Sequence, residues 1–190
     1  MGALPAWLAA LPARPRRAAL VPTAANPLAS APYVQAAADL LTSEGLVVEY
    51  LDLEHAAHDD VRRVLTRSQV VFVVGGYAMF LLQHARRSGF ARLAATAIRS
   101  GSLAYVGISA GAALAGPDLR SFQDADDPGI VSSTAGLGLV PFVVLAHRDR
   151  GRAARHDRQA AELPWPVVSI RDDQAVTVAG TGWSIRSSPG

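Results

Sequence analysis

The five residues Gly107-Ile108-Ser109-Ala110-Gly111 set a lone hydroxyl between two glycines, where an apolar run stops and an alanine-rich run begins. A serine spaced in this way suits a sharp strand-to-helix turn that lifts its Oγ above a sheet edge, the posture of an attacking nucleophile. A hydroxyl attacks only when a base takes its proton, and the base needs a further group to fix its tautomer. The chain has no cysteine, so a thiolate nucleophile, a disulfide framework and a cysteine-based zinc site are all excluded. Five histidines remain as bases. His147 is the best placed, because it follows the predicted strand Leu139–Leu145 and open parallel sheets gather reactive groups at their carboxyl ends. His55, His58 and His84 lie in or beside helical stretches ahead of the serine, and His156 lies in an arginine-rich polar segment. The group His55-x-x-His58-Asp59 has ligand types for a metal, but a solvated helix start explains it better. The acidic loop Ser121–Gly129 offers Asp124, Asp126 and Asp127 as orienting carboxylates, and residue type does not choose among them. Gly75-Gly76 brings unobstructed backbone to the same sheet edge, where an N–H could join that of Ala110 as an oxyanion hole; the pair equally suits a plain strand-to-helix turn.

These side chains need a frame. Apolar runs at Ala18–Thr23, Val47–Leu53, Val70–Val74 and Leu103–Ile108 alternate with helical patterns at Tyr33–Glu44, His58–Arg67 and Ala78–Ser100, which is the grammar of a parallel sheet with crossover helices. Val34, Ala37, Leu40 and Leu41 share one face of the first helix, and Gly45 marks its end. Beyond Ser109, Leu137–Leu145 predicts another strand, Val167–Ile170 with Ala175–Ala179 a hairpin, and Trp183–Arg186 a last short strand. The first 17 residues, broken by prolines, are expected to be a loose arm before a single α/β domain at 18–190. No internal repeat is present.

Composition narrows the function classes. Half of the 190 residues are hydrophobic and 18% are charged, which fits a fold covered on both faces and argues against disorder. All 18 basic residues are arginine, and the net charge of +2 does not build the concentrated positive surface that nucleic acid requires. No apolar run has the length of a membrane span, so a cytoplasmic protein without membrane partners is expected, as a monomer or a homodimer.

Taken together, these residues resemble the peptidase E family, aspartyl dipeptidases on a flavodoxin-like sheet of the class I glutamine amidotransferase-like type. The likeness runs from Ala18 onward, through Val21-Pro22-Thr23-Ala24-Ala25-Asn26, Leu51-Asp52-Leu53, Val73-Val74-Gly75-Gly76, the serine turn with Ala115-Gly116-Pro117, Gly138-Leu139-Val140-Pro141 before His147, and Ile170-Arg171-Asp172-Asp173-Gln174-Ala175. The resemblance implies a three-layer, mostly parallel α/β fold and a cofactor-free, metal-free serine exopeptidase acting on short peptides with an N-terminal aspartate. It implies Ser109 as nucleophile, His147 as base, Asp124 as the carboxylate on the histidine, and Gly76 and Ala110 as oxyanion donors. Arg155, with Arg158 as second choice, would meet a substrate carboxylate. Two places depart from the family pattern: Tyr77 stands where asparagine is common, and Leu145-Ala146 where asparagine-proline is common. Tyr77 puts a ring beside the oxyanion region. The departures leave room for other N-terminal residues, for β-linked aspartyl-arginine as in the related cyanophycinases, for an ester, or for a binding relative without turnover.

Overall fold

Four of the apolar runs line up as one parallel sheet. In the computed structural model, which describes residues 2–188, β1 (Arg17–Val21), β2 (Val47–Tyr50), β3 (Val70–Val73) and β4 (Ala104–Gly107) lie in the order β2-β1-β3-β4. The inner strands β1 and β3 are buried from Ala18 and Val70 onward, which accounts for their unbroken apolar sequences, whereas edge strand β2 is exposed at both ends. Side chains alternate between two cores. Ala19, Val21, Val71 and Val73 face α3 (His58–Arg67), α4 (Ala78–Arg87), α5 (Phe90–Arg99) and α6 (Ala110–Ala115); Ala18, Leu20, Val70 and Phe72 face α1 (Leu4–Ala9) and α2 (Pro32–Ser43). Helix α2 stops as expected: the Leu46 N–H reaches the Leu41 carbonyl and the Gly45 N–H reaches Thr42, the paired bonds that close a helix on a glycine.

Several expected elements differ. The N-terminal arm is not loose where it forms α1, because Leu4 and Leu8 are buried in the second core. The stretch Ala78–Ser100 is two helices, parted at Gly89 where φ is 80°. In Leu137–Leu145 only β5 (Val143–Leu145) is strand, since the Leu137 and Leu139 N–H groups bind the Leu114 and Ala115 carbonyls at the end of α6. After α7 (Ala153–Glu162) comes β6 (Val167–Ser169), which pairs in parallel with β5 and buries Val168 and Ile170 against Phe142 and Val144. The C-terminal hairpin therefore forms one element later, between β7 (Gln174–Ala179) and β8 (Gly182–Ser187) across a two-residue turn. No helix among the described residues is long and apolar enough to cross a membrane.

Candidate active site

The turn at Ser109 is made by the backbone around it. Between the end of β4 and the start of α6, Ser109 takes φ 52° and ψ −109°, a conformation that costs a non-glycine residue roughly 1–3 kcal/mol and is held by its surroundings. Those surroundings admit no bulk: a Cβ on Gly111 would sit 2.2 Å from the Val73 carbonyl oxygen of β3. The two glycines of the motif thus let β4, the turn and α6 close against the neighbouring strand. Ser109 stays half-exposed and lines a cavity of about 170 Å³ together with Gly76, Tyr77, Ala110, Asp124 and Arg155.

Gly75-Gly76 reaches this cavity from the end of β3. A Cβ on Gly75 would lie 2.9 Å from the Ser109 Cβ and 3.5 Å from its Oγ, so the peptide packs directly on the nucleophile candidate. Gly76 has φ 139° and sits so close to the Ala24 carbonyl that a Cβ would come within 2.0 Å of its oxygen; only glycine fits. Neither the Gly76 N–H nor the Ala110 N–H has an acceptor among the described residues. Two donors beside a serine hydroxyl are the components of an oxyanion hole. Tyr77 follows as the residue that opens α4, its N–H held 2.8 Å from the Ala24 carbonyl.

His147 stands just past β5 in the left-handed region, with φ 68°. Its Nδ1 lies 2.5 Å from Oδ1 of Asp172, whose other oxygen accepts from Arg150 Nε at 2.6 Å. Burial alone would push the Asp172 carboxyl up, but hydrogen bonds from His147 and Arg150 outweigh it and hold the group below the ordinary carboxylate range. A histidine that donates from Nδ1 to a carboxylate leaves Nε2 as the acceptor, the tautomer a general base requires. No hydrogen bond joins Ser109 Oγ to His147.

The carboxylate on His147 is therefore Asp172 and not Asp124. The reason is the parallel pairing of β5 and β6, with Leu145 opposite Ser169, which carries both following segments out at the same sheet edge. Asp124 is exposed on the cavity wall, where its Oδ1 accepts the Asp126 N–H at 3.2 Å. Its neighbour Asp127 caps α4, accepting the Met79 and Phe80 N–H groups at 2.7 and 2.9 Å, so the acidic loop is fastened to the helix that starts beside Gly76.

Arg155 lines the cavity and donates to the Ser121 carbonyl at 2.9 Å, whereas Arg158, on the same helix, does not line it. Arg152 and His156 complete that wall. Residue type alone did not single out His156; it is buried, shares a 2.7 Å hydrogen bond with Ser169, and is held below the usual histidine range by burial and then by Arg148, Arg152 and Arg155. The ligand types of His55-x-x-His58-Asp59 do not converge on one point. His55 Nδ1 is 2.8 Å from Asp52 Oδ2, and His58 Nε2 faces Arg92. Asp52, Glu54 and His55 do bring ligand atoms together, but Thr23 and Asn26 already occupy the Asp52 carboxylate and Asn26 also reaches Glu54.

Comparison with known proteins agrees with this frame. The model of peptidase family S51 matches residues 3–186. An uncharacterized peptidase of Listeria innocua is 33% identical over 130 residues, covering 67% of this chain and 62% of its own length. Peptidase E of Streptomyces coelicolor is 32% identical over 171 residues, covering 80% of this chain and 68% of its own. A crystal structure of a candidate peptidase E from Listeria monocytogenes superposes with a TM-score of 0.86 at 25% identity, over 97% of this chain and 92% of that one. The chain spans less than two thirds of the Listeria innocua relative's length.

Proposed function

The chain belongs to peptidase family S51, and from that premise we propose that it is a serine exopeptidase of short peptides with a Ser109–His147–Asp172 triad. The observation that carries this reading is the strained turn at Ser109, set in one cavity with two N–H groups that have no acceptor of their own. His147 Nε2 takes the hydroxyl proton as Ser109 Oγ bonds to the scissile carbonyl carbon, and the electron pair displaced onto oxygen rests on the Gly76 and Ala110 N–H groups. The tetrahedral centre collapses, the C–N bond breaks, and the departing amine takes the proton back from His147. Water then repeats the sequence on the acyl-enzyme and frees Ser109. Each oxyanion donor contributes about 3 kcal/mol to such a step. The reading requires His147, which is not among the residues lining the cavity, to come within hydrogen-bond reach of Ser109 as substrate seats, a tightening common at sites of this kind.

The lining supports an acidic N-terminal residue. Arg152 and Arg155 offer guanidinium groups to a substrate carboxylate, and Asp124, released from the histidine, offers a carboxylate to the free α-ammonium. A second reading, peptide binding without turnover, is favoured by one feature, the missing Ser109–His147 hydrogen bond. Hydrolysis of aspartyl dipeptides, followed by release of free aspartate, tests the two. Ser109→Ala, purified identically, loses about a million-fold in turnover while remaining folded. Retained hydrolysis by that variant rejects the nucleophile; loss of activity in His156→Ala with His147→Ala unaffected moves the base to the other histidine.

A further inference from the structure

We infer that Tyr33 is a positioning residue that holds the oxyanion-binding peptide the right way round. This rests on the reading of Ser109 as the nucleophile. Tyr33, near the start of α2, donates its phenol Oη–H to the Gly75 carbonyl at 3.3 Å, and among the described residues no other group donates to that oxygen. In a trans peptide the carbonyl of one residue and the N–H of the next point to opposite sides, and no cis peptide occurs here. Tyr33 does not line the cavity and Gly76 does. A carbonyl drawn toward Tyr33 thus leaves the Gly76 N–H facing the cavity and Ser109.

The constraint matters because the peptide it holds lies between two glycines. Two glycines in series carry no Cβ to block rotation of the peptide between them. The groups ahead of them in α4 do not help, since Asp127 already takes the Met79 and Phe80 N–H groups. If that peptide turned over, the Gly75 oxygen would face the place where negative charge develops and the site would repel its own intermediate. Tyr33 is 37% exposed, and the burial of the rest of its side chain raises the phenol above its ordinary range.

Tyr33→Phe removes the hydroxyl and keeps the ring. The rate at which a fluorophosphonate probe labels Ser109, and kcat for p-nitrophenyl acetate, should each fall about tenfold, the worth of one hydrogen bond, with KM nearly unchanged. The Gly76 amide resonance in a 15N-labelled sample should shift, a signal that a purely supportive role for the ring would leave in place. Wild-type reactivity in the folded variant overturns the inference, and so does an unmoved Gly76 amide. If wild-type protein is itself unlabelled at Ser109, the proposed activity fails, and the amide still decides the orientation of the peptide: a shift supports Tyr33, none rejects it.

Discussion

At the scale of single residues, the site depends on who holds the imidazole. Asp172 accepts from His147 at 2.5 Å and is itself gripped by Arg150, whereas Asp124 is exposed across the cavity. Asp172→Asn should leave the ring in place but favour the wrong tautomer, with turnover falling by up to about 10⁴-fold. Asp124→Asn should instead raise KM for peptides with a free amino terminus and leave reaction of Ser109 with a fluorophosphonate intact. Steady-state kinetics on the two variants separates these roles. The meeting of Ser109, Gly76 and Ala110 at one cavity follows from short local patterns, and the place of His147 from the apolar strand before it. The place of Asp172 does not, although it lies in a stretch that resembles the family: its contact with His147 depends on a parallel pairing 24 residues apart in sequence, Leu145 with Ser169, that no local pattern reports.

Among the elements, α7 carries a titratable group into the interior. His156 is buried against Ser169 of β6 and kept neutral by burial and by three arginines. Its folded pKa lies below the unfolded value of 6.5, so the unfolded chain binds the proton first as pH falls. The contribution of this contact is therefore whole above about 6.5 and declines below it until the folded pKa is passed. Thermal unfolding followed between about pH 8 and 5 should show a steeper loss in the wild type than in His156→Gln. The central strands and α2 and α3 could be read from apolar runs and caps, since each buries its own face. The break at Gly89 and the late hairpin could not. The first depends on α4 and α5 packing on opposite sides of a tight turn, and the second on Val168 and Ile170 being claimed by β5 rather than by β7.

Across the whole molecule, the reacting groups arrive on separate segments: Gly76 after β3, Ser109 after β4, His147 after β5 and Asp172 after β6. The parallel sheet and the smaller β5–β6 pair deliver all four at strand carboxyl ends. Residues 147 and 172 are far from 76 in sequence, so the site is assembled from segments distant along the chain. On the proposed triad, enzymatic competence waits for the β5–β6 pair. A nascent polypeptide halted before residue 172 then lacks the carboxylate that orients His147 even if its first four strands have already docked. During refolding from denaturant, recovery of esterase activity should lag behind the fluorescence change of Trp7, which packs near the second core, and track that of Trp183, which rests on Phe142. Activity that appears in this order would report the docking of the smaller sheet rather than of the larger one.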